Sequence, residues 1–284
     1  MIDQKVSEKA ILIDIKKHPC YSGTAHSIYG RIHLPVAPNC NLGCNYCKRR
    51  IGKMTYHTYR PAVTSRILTP KEALSEVAQL VKDDNLTVVG IAGPGEPLYN
   101  PSTFETLNLL HDRYPQLILC LSTNGLLLPK YVKHLQDLGV RTISMTLNII
   151  NPEIGARIYS YVRYNGKVLK GIKGAKVLLQ NQLTGIEKAV KFGLVVKINS
   201  ILIPGINNNG QLEKVAETVK KLGFYIQNIT PLIPLSRFKY LTAPSCDELH
   251  LVRSKCEQII KQFRLCQQCR ADSVGIPGSE HFIR

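Results

Sequence analysis

The sequence predicts an α/β fold in which about six parallel strands alternate with amphipathic helices, closed or partly closed as a barrel. Three observations carry this expectation. Short apolar runs alternate along most of the chain with segments of helical periodicity, the pattern of a parallel sheet with right-handed crossovers. Polar residues gather where those runs end, on the rim that barrels use for active sites. At 284 residues and 44% hydrophobic content, the chain has material for one large α/β domain or two smaller ones.

In chain order, residues 1–17 place Ile11, Leu12 and Ile15 on one side of a short helix, which Pro19 stops. Residues 22–25 read as a loop. A strand at 30–36 carries His33 and aims at a cysteine loop that Pro38 turns into. Thr69-Pro70-Lys71-Glu72 opens a helix reaching about residue 82, with a cap and a proline in its first turn. Strands follow at 87–92, 117–122, 142–148, 195–203 and 225–232. Helices are expected at 102–113, 129–138, 152–162, 183–192, 211–222 and 246–263. The chain then divides into an N-terminal extension (1–29), a core (30–245) and a C-terminal helix with a tail (246–284).

The core is organised around Cys40-Asn-Leu-Gly-Cys44-Asn-Tyr-Cys47. Thiolates are soft ligands that select zinc, copper(I) or iron–sulfur clusters. An iron–sulfur cube normally takes four cysteines. This loop offers three, which leaves one iron open to a chelating ligand. The competing reading is structural zinc with a fourth ligand from elsewhere, although zinc loops usually pair two such cysteine motifs. The loop, with its aromatic Tyr46, resembles that of the radical S-adenosylmethionine (SAM) enzymes. In them the amino and carboxylate groups of SAM occupy the open iron.

Composition bounds the rest. No apolar run reaches the length of a spanning helix, and the first residues lack the apolar core of a secretory signal. Nine clustered cysteines without an export signal argue for metal in a reducing cytoplasm over disulfides. The formal charge of +17 first suggests nucleic acid, and a zinc-bearing nucleic-acid module is the alternative class. The basic residues are scattered, however, and the tightest group, Lys48, Arg49, Arg50 and Lys53, abuts the cysteine loop. That placement suits an anionic cluster, cofactor or product, and acidic protein partners.

Gly90-Ile-Ala-Gly93-Pro-Gly95-Glu96 follows the second strand of the alternation. Glycines let a backbone approach a ligand, and Glu96 can accept from an ammonium. Ser122 and Asn124, Asn148, and Asn199 end the next strands with groups suited to the ribose, adenine and carboxylate of SAM; such residues are also ordinary turn formers. Cys120, Cys246 and Cys256 read as small buried hydrophobes. Cys20, Cys266 and Cys269 sit on loops, where packing explains them poorly. The Cys266–Cys269 pair suits a metal, and Cys20 can supply a third sulfur.

Several stretches together resemble one family within the radical SAM enzymes. They are His18-Pro-Cys20, Leu34-Pro-Val-Ala-Pro-Asn-Cys40, Val89-Gly-Ile-Ala-Gly-Pro-Gly-Glu96, Leu119-Cys-Leu-Ser-Thr-Asn-Gly125, Lys197-Ile-Asn-Ser200, Ile203-Pro-Gly-Ile206, Asn228-Ile-Thr-Pro-Leu-Ile233 and Cys266-Gln-Gln-Cys-Arg-Ala-Asp-Ser-Val-Gly275. That family is NifB, the radical SAM maturase of the nitrogenase cofactor, here resembling its short form without a carrier-like domain. The resemblance spans about residues 18–275. It implies a radical SAM partial (β/α)6 TIM-type barrel with N-terminal and C-terminal extensions.

The same resemblance implies that Cys40, Cys44 and Cys47 carry the catalytic [4Fe–4S] cluster, which cleaves SAM to a 5′-deoxyadenosyl radical. One or two further [4Fe–4S] clusters serve as precursors. A SAM-derived methyl group becomes the central carbide as they fuse into an eight-iron core. Cys20, Cys266 and Cys269 match the positions expected to hold one precursor, and His33 and Cys120 those expected to hold the other. The implied partners are SAM, an iron–sulfur cluster donor protein, a carrier or scaffold protein, and an electron donor such as ferredoxin, with no membrane. One departure stands out. The family usually has a further cysteine between the cluster loop and Arg60-Pro61, and residues 48–59 contain none. His57 is the nearest substitute ligand. The gap leaves open a divergent radical SAM enzyme acting on another substrate.

Overall fold

The computed structural model describes residues 15–53, 58–82, 85–223 and 226–283. Most of the helix expected at 1–17 lies outside the described residues, with 15–17 helical; His57 lies outside them too.

Strand β1 (Gly30–His33) leads into the cysteine loop, which contributes β2 (Leu42–Cys44) and is followed by the short pair β3 (Arg50–Ile51) and β4 (Val63–Thr64). Next come β5 (Leu86–Ile91), β6 (Ile118–Thr123) and β7 (Val140–Thr146). A hairpin, β8 (Tyr159–Tyr164) and β9 (Lys167–Leu169), precedes β10 (Val195–Leu202) and β11 (Ile226–Pro231). The tail supplies β12 (Ser273–Gly275) and β13 (His281–Phe282). Strands β1, β5, β6, β7, β10 and β11 pair in that order, each parallel to the next. These are the six strands expected, laid out as a partial (β/α)6 barrel. β12 and β13 extend it antiparallel beyond β1, so the tail covers what would be an open edge.

Alternation along each strand sends one set of side chains outward under the helices. Ile32, Val89, Leu119, Leu121, Ile143 and Ile198 form the core there with residues such as Leu107, Leu135, Ile186 and Val215. The helix Pro70–Leu80 starts where expected, on a reciprocal capping box between Thr69 and Glu72. The opposite, inward face is different. Registered pairs place His33, Gly90, Cys120, Thr142 and Val195 in one row across the sheet. Ser122, Ser144, Lys197 and Ile226 form the next. Tyr21 and Phe263, from the two ends of the chain, pack against Val195 and Ile226 on that face.

Four expectations are corrected. The helix expected at 152–162 ends at Ile158; the aromatic alternation Tyr159-Ser-Tyr161-Val162 instead forms β8, turned by Asn165-Gly166, both at positive φ. The helix expected at 183–192 is the second half of Gly171–Lys191. Its first half is hidden in the sequence by Gly171 and Gly174, residues of low helix propensity. The helix expected at 246–263 stops at Glu257, and residues 22–25 are part of a helical turn, Gly23–His26, capped by Ser22. No helix among the described residues is long and apolar enough to cross a membrane.

Leu121 is fully buried between sheet and helices. Leu121→Ala is expected to lower unfolding free energy by about 2–5 kcal/mol, measured by denaturant titration.

Candidate functional site

The cysteine loop is held from several sides. β2 pairs antiparallel with β8, the Arg163 amide donates to the Asn41 carbonyl at 2.8 Å, and the Asn45 amide to the Ile158 carbonyl at 2.9 Å. The Cys47 amide donates to the Cys44 carbonyl at 3.0 Å, turning the loop back on itself. Cys40, Cys44 and Cys47 are free thiols, each partly exposed. Burial, then the neighbouring Cys47 and Cys40, pushes the Cys44 thiol well above its ordinary value. Burial and the charge of Glu96 push Cys40 up to about 11. Three thiols that resist ionisation together are stabilised as thiolates by a bound cation. Among the described residues no three histidine, cysteine or carboxylate side chains converge on one metal-ion position. A cube offers each thiolate its own iron, so its ligands stand around it and do not meet at a point.

The stretch after β5 lies against this loop. The Gly95 amide donates to the Ala37 carbonyl at 2.6 Å and the Glu96 amide to the Asn39 carbonyl at 2.8 Å. A Cβ on Gly95 would meet the Asn39 oxygen at 2.2 Å, so only glycine allows this approach. Glu96 is 2% exposed and turned into the protein. It accepts from the Thr123 hydroxyl (2.5 Å), the Asn124 amide (2.7 Å) and the Leu98 amide (3.2 Å). Its carboxylate thus fastens the glycine loop to the end of β6. Burial nevertheless raises its carboxyl to about 7.

The expected rim residues follow. The Asn124 side chain donates to Asn41 Oδ1 at 2.7 Å, linking β6 to the cysteine loop. Asn148 is fully buried; its Nδ2 donates to the hydroxyls of Tyr46 (3.3 Å) and Tyr159 (3.1 Å), and its Oδ1 accepts from the Ile201 amide (2.8 Å). Asn199 accepts from Asn228 at 3.0 Å, and Ser122 is partly exposed on the inward face. Gly93 lies at positive φ beside Ala271 of the tail.

A second group of soft donor side chains gathers on the inward face. Cys20, Cys266 and Cys269 lie close enough for their charges to interact. Burial pushes Cys269 up to about 11, opposed by Arg31. Arg31, fully buried, donates to Cys269 Sγ at 2.9 Å, to Glu280 at 3.0 Å and to the Gly275 carbonyl at 2.6 Å. The tail is pinned by Arg270, whose Nε and Nη2 reach the two Asp272 oxygens at 2.8 and 2.7 Å. Asp272 also accepts from the Ser65 amide at 2.7 Å. His33 and Cys120 face one another across Gly90, where a Cβ would meet His33 Cδ2 at 3.1 Å. His33 Nδ1 donates to the Arg270 carbonyl at 3.0 Å. That fixes the tautomer and leaves the Nε2 lone pair free. Burial and Arg31 hold this imidazole down at about 4, in the neutral form a soft ligand needs.

Sequence reasoning missed Arg31, Asn41 and the Arg270–Asp272 pair. A charged residue two before His33 in an otherwise apolar strand was the available signal for Arg31. Cys256 is buried in the main core, as expected, whereas Cys246 is exposed at a helix start.

The sequence profile of the radical SAM superfamily matches residues 34–224. The FeMo cofactor biosynthesis protein NifB of Methanocaldococcus jannaschii is 49% identical over 262 residues, covering 92% of this chain and 86% of that protein. The protein of the same name from Klebsiella pneumoniae is 42% identical over 273 residues, covering 93% of this chain and 57% of its own. Among solved structures, Streptococcus suis SuiB bound to S-adenosylmethionine aligns with a TM-score of 0.60 at 13% identity, over 90% of this chain and 54% of that one. A radical SAM methyltransferase from Sphaerobacter thermophilus aligns at 0.57 and 17% identity, over 83% and 64%. These two likenesses speak to the fold alone.

Two outcomes test the loop geometry. Gly95→Ala forces its new methyl onto the Asn39 carbonyl and is expected to lower stability by about 1–3 kcal/mol or more, read by thermal unfolding. Glu96 keeps its proton to higher pH when folded than when unfolded. Its contribution to stability is therefore full below about pH 4 and lost as pH rises to about 7, by at most about 3 kcal/mol. The difference in unfolding free energy between the wild type and Glu96→Gln, measured across that window, is expected to fall as pH rises.

Proposed function

The chain belongs to the NifB family of the radical SAM superfamily, and on that premise we propose that it fuses two [4Fe–4S] clusters, with a carbon taken from SAM, into the eight-iron precursor of the nitrogenase cofactor. Membership makes it a radical SAM enzyme with a role in nitrogenase cofactor biosynthesis, using a [4Fe–4S] cluster and SAM. The observation that carries the finer reading is the second gathering of soft ligands inside the barrel: Cys20, Cys266 and Cys269, with His33 and Cys120 across Gly90.

The donor set of the cysteine loop fits a cube, and Cys40, Cys44 and Cys47 would hold it. When bound, that cluster supplies an electron and an open iron for the amino and carboxylate groups of SAM. The chain's own residues do the rest of the positioning. Gly95 and Glu96 press the glycine loop onto the cysteine loop, which keeps the backbone of Gly93 and Gly95 beside the cofactor position. Asn148 ties Tyr46 to the ends of β7 and β10. Ser122, Asn124 and Asn199 supply polar groups for the nucleoside and amino-acid parts of SAM. The two substrate clusters take separate seats, one on Cys20, Cys266 and Cys269 and one on His33 and Cys120. Exposed Lys48, Arg49 and Arg50 beside the loop suit an acidic electron donor such as ferredoxin. A cluster donor and a product carrier complete the cycle.

One observation favours a second reading. From Cys47 to Arg60 the sequence has no further thiol to join His33 and Cys120. If that seat is lost, the protein is a radical SAM enzyme with another substrate.

Anaerobic reconstitution with iron and sulfide counting separates the two. About twelve irons per chain are expected for three four-iron cubes, and about eight would mean one substrate seat is missing. Cys40→Ala is expected to abolish cleavage of SAM to 5′-deoxyadenosine and to remove about four irons. Retained cleavage in that variant would overturn the assignment of the loop.

A further inference from the structure

His18 and Lys197 lie on the inward face with no role in the site as described. His18 is 1% exposed, and its Nδ1 accepts from the Cys20 amide at 3.1 Å. In the neutral ring the proton is therefore on Nε2. That Nε2–H is buried and has no hydrogen-bond partner. An orphaned buried donor is costly, and native structures rarely keep one without a use. Lys197 is 3% exposed. Its Nζ donates to the Cys20 carbonyl at 2.9 Å, and among the described residues no carboxylate pairs with it. The ammonium stands 4.9 Å from the centre of the Tyr21 ring and 5.3 Å from that of Phe263. The His18 ring packs on the same Tyr21 at 4.3 Å, and the Tyr21 hydroxyl meets Ser144 at 3.3 Å. One fixed aromatic thus carries an unused N–H donor and an unmatched cation. Both border Cys20, and the charge of Lys197 also reaches Cys120.

A buried cation without an anion is unfavourable on its own and becomes favourable when an anion enters. Hydrogen bonds to cluster sulfur and nearby positive charge also raise a cluster's reduction potential. We infer that His18 Nε2–H and Lys197 Nζ form an anion-accepting cradle inside the barrel, and that its ligand is a sulfide sulfur of the anionic [4Fe–4S] substrate seated on Cys20, Cys266 and Cys269. Both are then positioning residues for that substrate. The inference rests on the reading of those three cysteines as a substrate seat.

The test uses the full chain, reconstituted anaerobically with iron and sulfide. Wild type is compared with Lys197→Met and His18→Phe, which keep bulk and remove the donor, and with Lys197→Arg and His18→Gln, which keep a donor. Iron is counted, and the midpoint potential of each cluster is followed by electron paramagnetic resonance. The cluster on Cys40, Cys44 and Cys47 is identified by its response to SAM. Lys197→Met and His18→Phe are expected to lose about four irons per chain, or to shift the second cluster to a more negative potential, with the SAM-responsive signal unchanged. Lys197→Arg and His18→Gln are expected to restore most of the loss. Unchanged iron and potential in both donor-removing variants would overturn the cradle. Loss of the SAM-responsive signal as well would also overturn it, because the two residues would then be structural. A wild type that binds only about four irons would instead sink the substrate seat itself, and the cradle with it.

Discussion

A parallel sheet covered by helices ordinarily fills its inward face with branched apolar side chains. Here that face carries His33, Cys120, Thr142, Ser144 and Lys197, and it has to be kept from water by something other than its own packing. The two ends of the chain do this. Tyr21 comes from before β1 and Phe263 from after the last helix, and both settle on Val195 and Ile226. The same segments bring Cys20, Cys266 and Cys269. The segments that cover the barrel are therefore the same ones that bring the inner thiols, and Cys20 and Cys266 pack against the covering residues themselves.

Electrostatics explains why the two gatherings of thiols differ. Around the cysteine loop the cations Arg49 and Arg60 act on Cys47 from partly exposed positions. Inside, Arg31 is fully enclosed and fixed by Cys269, Glu280 and a backbone carbonyl. Burial opposes its charge, and the neighbouring thiols and Glu280 more than restore it. A guanidinium held in this way acts in a low dielectric, where its influence on a neighbouring sulfur is far larger than at the surface. The outer thiols thus sit beside solvent-accessible cations, whereas the inner ones share an enclosed guanidinium.

Much of this was legible in the sequence because its strongest signals are local. The cysteine spacing, the glycines before Glu96 and the capping box at Thr69 each sit within a few residues, so pattern and chemistry coincide. All six strands of the barrel could be read for the same reason, since their outward-facing positions carry apolar residues within short stretches bounded by turn formers. The rest depended on contacts between distant parts of the chain. β8 read as helix because Pro152–Ile158 runs straight into it, and pairing with β2 on one side and β9 on the other makes it a strand. Glu96 read as a group for a ligand, and the alignment of β5 with β6 turns it toward Thr123 and Asn124 instead. The roles of Arg31 and Asn41 could not be read because their partners lie far away in sequence, at Cys269 and Asn124; the one local hint was a charge at Arg31 within an apolar strand.

The added edge formed by β12 and β13 has a consequence for the order of assembly. β1, near the start of the chain, waits for Ser273–Gly275 to complete its pairing, and Arg31 waits for Gly275 and Glu280 to close around it. The outer cysteine loop needs only β8, within the middle of the chain, to complete its pairing. Arg31 and Cys269 therefore come together only once residues 269–280 have folded back on the first strand of the sheet, which makes the grouping of the inner thiols a late product of folding.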